Sequence, residues 1–228
     1  MRYPFLILDL NGTLIDTFGD LTEALGVLLA AHLRPAVDIA QVRAWSGEGL
    51  RALLRAAFLA TGPTPTDLEL NDLLHEFRGL YEEHLGAGAF LYPGVQQTLA
   101  TLAARGVRMS ILTNKPLGPS LKLLEKFGIS HYFDYMVAGD TDVPRKPDPT
   151  GLLQLVAQMD GRPEGTLMVG SSRIDLETAR NAGVACAIVD HAEDGLHARG
   201  MGADFVLDQF PMLTALVLAP RHSGAFPA

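Results

Sequence analysis

The sequence predicts an α/β fold, a doubly wound parallel sheet carrying an inserted all-helical cap. Three observations lead there. Short, unbroken apolar runs alternate with segments of helical spacing along most of the chain. One long stretch near the start holds helical spacing alone, and acids, hydroxyls and a lysine follow several of the apolar runs. Unbroken rather than alternating apolar runs fit strands covered on both faces, as in a parallel sheet flanked by helices.

"PFLILD", from Pro4, reads as the first buried strand. From about Leu21 to Leu85 no strand-like run occurs. "LTEALGVLLAAHL", "LRALLRAAFLA" and "DLELNDLLHEFRGLYEEHL" carry leucine and alanine at helical intervals, while "SGEG" and "TGPTPT" punctuate them as loops. This block reads as a lid domain, residues 17–89, set into a core of residues 1–16 and 90–228. "YPGV", Tyr92 to Val95, returns the chain to the core, with Pro93 placed to open a helix. "VRMSILT" is the next strand, followed by a helical stretch from about Leu117 to Phe127. "YMVAG", "TLMVG", "ACAIVD" and "DFVL" complete the strand candidates. The tail from Ala219 is small and turn-rich and is expected to fray.

Composition narrows the function classes. Nearly half of the 228 residues are apolar, enough to bury a full core without covalent staples. The single cysteine, Cys186, excludes an intrachain disulfide, fits a reducing compartment, and lies in "VACAIV" as a small buried hydrophobe. No run approaches the about 20 apolar residues of a membrane span. Asp9 and Asn11 interrupt the first apolar run too early for a secretory signal, so a cytoplasmic location is expected and a membrane partner is not. A net charge of −8 without a lysine or arginine cluster argues against nucleic acid. The seven histidines share no metal-ligand spacing, which argues against zinc.

In an open parallel sheet, ligands bind beyond the carboxyl ends of the strands. Asp9, Asn11 and Thr13 follow the first strand; Thr113 and Asn114 follow "VRMSIL". Lys146 comes after "YMVAG", and Gly170, Ser171, Ser172 and Asp175 come at the end of "TLMVG" and beyond it. One edge of the sheet thus gathers a carboxylate nucleophile and groups suited to holding a phosphate.

"DLNGTLIDT", "ILTNKP", "RKPDP" and "VGSSRIDLETARNAG" occur in that order, with "YPGV" and "FGISHYFDYMVAGD" between them. Together they resemble the haloacid dehalogenase superfamily over nearly the whole chain, nearest its phosphoglycolate phosphatase-like branch. The resemblance implies a Rossmann-like core, a small phosphorylated metabolite as substrate, Mg²⁺ as cofactor, and a monomer or homodimer. It makes Asp9 the nucleophile that forms an aspartyl-phosphate, and Lys146 the positive charge against it. Gly12 lets peptide N–H groups face the phosphoryl oxygens, Thr113 donates its hydroxyl to them, and Asn114 shapes that loop. Asp9, Asn11, Ser171 and Asp175 match the metal-binding positions.

Two of those positions depart from the family pattern. Where relatives carry an acid that protonates the leaving group and later activates water, this chain has Asn11. An amide keeps the shape and the backbone carbonyl but cannot transfer the proton, a loss of roughly 10²–10⁴-fold in rate. Ser171 stands where an anionic metal ligand is expected, which weakens Mg²⁺ binding. Three readings stay open: a phosphatase with slowed turnover, a catalytically silent phosphate-binding homologue, or a metal-independent, dehalogenase-like hydrolase. The Asn11-Gly12 pair is also of the kind that deamidates, which would return an acid to position 11.

The lid is expected to close over the site and choose the substrate. "WSGEGLRALL" resembles the specificity loop of relatives, with a helix starting near Leu50 whose N-terminus could face an anion. Arg51 is the candidate for a substrate carboxylate and Arg43 a second one, while Trp45 reads as a core residue. Asp16, Asp140 and Asp148 read as turn-forming or hydrogen-bonding acids.

Overall fold

The structure is a computed structural model that describes residues 1–191 and 199–220. All six strands expected from the apolar runs form: β1 (Phe5–Leu8), β4 (Arg108–Leu112), β5 (Met136–Val137), β6 (Thr166–Gly170), β7 (Ala185–Val189) and β8 (Phe205–Leu207). They make one parallel sheet in the order β5-β4-β1-β6-β7-β8. Successive side chains leave a strand on opposite faces, and both faces are buried. Leu6 and Leu8 join Met109, Ile111, Leu167 and Val169 under α5 (Val95–Ala104), α6 (Leu117–Lys126) and α9 (Met212–Leu218). Ile7 joins Leu112, Met168 and Cys186 under α7 (Thr150–Gln158) and α8 (Arg173–Asn181). Burial on both sides is the physical reason the strands read as unbroken hydrophobic runs.

Between β1 and β4 the chain builds the helical insert: α1 (Phe18–Ala31), α2 (Ile39–Trp45), α3 (Leu50–Thr61) and α4 (Asp67–His84). Capping boxes start two of these helices, Asp38 with Gln41 at α2 and Thr66 with Glu69 at α4. The insert packs around its own cluster of Leu25, Leu28, Leu54, Phe58, Leu70 and Phe77. Where the chain leaves and re-enters the core, β2 (Ile15–Asp16) pairs antiparallel with β3 (Phe90–Leu91). That pairing was not expected from the sequence. The helix expected to open at Pro93 instead begins at Val95, with Gly94 as its N-cap. Most of the tail expected to fray lies outside the described residues. Among those described, no helix is long and apolar enough to cross a membrane.

Register sets up the site. Leu8 pairs with Ile111 on one side and Val169 on the other. The carboxyl ends of β1, β4 and β6 therefore finish level, and the residues just beyond them meet at one edge.

Candidate active site

Asp9 follows β1 directly, its N–H donating to Val169 O at 2.9 Å. The turn after it reverses at Gly12, whose φ of +79° favours glycine. A Cβ there would lie 2.9 Å from Ser171 Oγ, so this turn also packs closely on the end of β6. Asp9, Asn11, Gly12, Thr113, Asn114, Lys146 and Ser171 line one cavity of about 1550 Å³ between the sheet edge and the helical insert.

Lys146 holds the centre. Its Nζ donates to Asp9 Oδ1 at 2.7 Å and to Asp175 Oδ1 at 2.5 Å, with all three side chains buried. Burial pushes the Asp9 carboxyl up to about 6; the Lys146 ammonium pulls against that and the Asp175 charge adds to it. Burial alone would lower the Lys146 pKa, but the Asp175 and Asp9 carboxylates outweigh it and hold the ammonium above lysine's ordinary value. Thr13 Oγ1 donates to Asp9 Oδ2 at 3.2 Å. Thr113 Oγ1 accepts from Lys115 N–H at 3.2 Å, which leaves the Thr113 proton for a ligand oxygen.

Asp175 sits beside the cavity wall, in the first turn of α8, and completes the capping box with the N-cap Ser172. Its Oδ2 accepts from Ser171 N–H (3.1 Å), Ser172 N–H (3.0 Å) and the Ser172 hydroxyl (2.7 Å). The signal was available as Ser172-x-x-Asp175, a capping-box pattern. Asn11 Oδ1 accepts from the Thr17 hydroxyl. Deamidation would need the Gly12 nitrogen to attack the Asn11 amide, yet that N–H donates to Ile15 O at 2.9 Å. The folded turn opposes the reaction.

These partners decide how well the site suits a divalent cation. Among the described residues no three His, Cys, Asp or Glu side chains gather as metal ligands, and no buried side-chain polar atom lacks a partner. Both Asp175 oxygens are engaged, and Asn11 and Ser171 offer neutral oxygens only. Of the four positions matched to metal ligands, Asp9 alone brings a carboxylate to the cavity lining, beside Asn11 and Ser171. Such a donor set does not fit a resident Mg²⁺, a hard cation that needs near-octahedral oxygen ligation.

Arg51 is not brought to the site. Its guanidinium bonds Asn71 and Asp67 on α4, within the insert. Arg43 does line the cavity: its Nη2 donates to Asp16 Oδ2 at 3.0 Å and its guanidinium lies 4.1 Å from the Phe18 ring centroid. Tyr92 OH donates to the same Asp16 oxygen at 2.9 Å, and the Tyr92 ring stacks on His191 with centroids 3.5 Å apart. Burial lowers the His191 pKa, which keeps the imidazole neutral near pH 7. The part of Tyr92 and His191 in this wall was not legible, since nothing in their spacing joins them.

The family model for haloacid dehalogenase-like hydrolases matches residues 5–183. Phosphoglycolate phosphatase of Rhodospirillum rubrum is 36% identical over 223 residues, which spans 96% of this chain and 92% of that protein. Phosphoglycolate phosphatase of Mesorhizobium japonicum is 35% identical over 214 residues, 94% of either chain. The crystal structure of a predicted phosphoglycolate phosphatase from Haemophilus somnus 129PT superposes with a TM-score of 0.88 at 27% identity, over 95% of this chain and 98% of that one.

Proposed function

The chain belongs to the haloacid dehalogenase-like hydrolases, in their phosphoglycolate phosphatase-like branch, and we propose that it cleaves small phosphorylated metabolites slowly, with Asp9 as nucleophile. The observation that carries this reading is the Lys146 ammonium, held 2.7 Å from Asp9 at the level ends of the central strands. In the first step an Asp9 oxygen bonds to phosphorus and the bond from phosphorus to the ester oxygen breaks. Lys146 and the Thr113 hydroxyl offset the charge on the transferred group. The electron pair leaves with the ester oxygen, which must take its proton from solvent because Asn11 has none to give. Water then attacks the aspartyl-phosphate, releasing phosphate and returning Asp9. Asn11 cannot activate that water, so the second step is slow as well.

Phosphatases of this family generally use Mg²⁺. The donor set here does not fit it, and no step above depends on it. The substrate class is a small phosphate ester bearing a second anionic group, with Arg43 on the cavity wall as the cation placed to meet that group. The bond between Asn11 and Thr17 favours a second reading, a phosphate-binding homologue that does not turn over.

p-Nitrophenyl phosphate separates the two, because its leaving group departs without a proton. Slow turnover through Asp9 predicts a burst of about one equivalent of nitrophenolate, followed by a slow phase. A phosphoryl group should appear on the Asp9 peptide. No burst and no labelled peptide would refute the proposal and leave the binding role.

A further inference from the structure

Beyond β4 the chain runs through Thr113, Asn114 and Lys115, and the last two side chains reach across to the helical insert. Asn114 is buried, and both ends of its amide are engaged. Its Oδ1 accepts from Lys146 N–H at 3.0 Å, and its Nδ2 donates to Lys146 O at 3.1 Å. The same Nδ2 donates to Gly47 O at 3.3 Å, in the turn Ser46–Glu48 that joins α2 to α3. The Lys115 ammonium bonds the hydroxyl of Tyr81, a buried residue of α4, and lies 4.6 Å from the ring centroid. Gly139 keeps the loop in place from below, for a Cβ there would fall 2.0 Å from the Asn114 carbonyl oxygen.

We propose that Asn114 and Lys115 form a clasp that couples closure of the insert to the placement of Lys146. Asn114 is then a positioning residue, not a phosphate ligand: one amide grips both backbone polar groups of Lys146 and one carbonyl of the insert. Opening the insert withdraws Gly47 O from Nδ2 and Tyr81 from Lys115, which loosens the segment that sets the ammonium against Asp9. Closure restores both. The coupled event, phosphate entry, rests on the functional reading above; the clasp itself does not.

The chain's single tryptophan reports on this directly, because Trp45 ends α2 beside the clasped turn and lines the cavity. Acrylamide quenching of Trp45, with and without inorganic phosphate, is the readout. Asn114→Asp keeps the acceptor for Lys146 N–H but turns a carboxylate oxygen toward two carbonyls. Tyr81→Phe removes only the hydroxyl on the insert side, and carries the test if Asn114→Asp does not fold. Both variants should raise quenching of the phosphate-free protein. They should also weaken phosphate binding by ~2–10-fold, the worth of one hydrogen bond, and lose part of the protection that phosphate gives Trp45. Quenching equal to that of the unaltered chain, in a folded variant without phosphate, overturns the clasp. Unaltered chain that binds no phosphate overturns the functional reading instead, and the phosphate-free comparison still decides the clasp.

Discussion

Lys146 Nζ stands 2.7 Å from Asp9 Oδ1, and the same ammonium reaches Asp175 at 2.5 Å. Two buried carboxylates therefore share one cation. Removing it strands both. Lys146→Met should destabilise the protein by about 3–5 kcal/mol near pH 7, the usual cost of breaking a buried pair. The deficit should shrink at lower pH as a carboxyl takes up a proton. Urea unfolding of both proteins at the two pH values checks it, and a deficit that does not change with pH would count against the shared-cation account.

The raised Asp9 pKa makes a pH prediction for chemistry. Attack needs the carboxylate, so the burst rate with p-nitrophenyl phosphate should fall with an acid limb near pH 6, set by a folded pKa of about 6 against the ordinary 3.8. The stability effect runs the other way. A carboxyl whose pKa is raised by folding favours the fold fully below pH 3.8, and that contribution fades as pH rises through about 6. A burst rate that stays flat through pH 6 would contradict the assignment of Asp9.

Arg43 and Arg51 should separate cleanly. Arg43→Ala removes a cation from the cavity wall and leaves the buried Asp16 carboxylate with the Tyr92 hydroxyl and the Phe18 N–H, without a counter-charge. Affinity for a phosphorylated carboxylic acid should fall by ~10-fold or more, the scale of one charge-assisted hydrogen bond, while affinity for inorganic phosphate changes less. Arg51→Ala should leave both unchanged, because its partners are Asp67 and Asn71 on the insert. Calorimetric titration of the two variants decides between the arginines.

Much of this was written in the sequence, for a physical reason. Strands buried on both faces must be apolar at every position, so "FLIL", "RMSIL" and "TLMVG" announce themselves. Parallel register then levels their ends, which is why Asp9, Thr113 and Ser171 meet. Strand order has no such local trace, nor does a two-residue pairing like β2 with β3. Arg51 bonds Asn71 and Asp67 on the insert, a placement the sequence does not give because helical spacing shows that a face exists but not where it points. Asp16 meets Tyr92 across 76 positions, and Asn114 meets Gly47 across 67. Contacts of that range depend on the finished packing, and no motif encodes them.

The most direct measurement restores both acids. Phosphatase turnover of the Asn11→Asp, Ser171→Asp double variant should be compared with that of the unaltered chain, each with and without Mg²⁺. The double variant should gain magnesium-dependent turnover, exceeding the unaltered chain by roughly 10²–10⁴-fold, the worth of a general acid–base group. Equal, negligible turnover in both proteins, with and without the cation, would contradict the account that a phosphatase site survives here around Asp9.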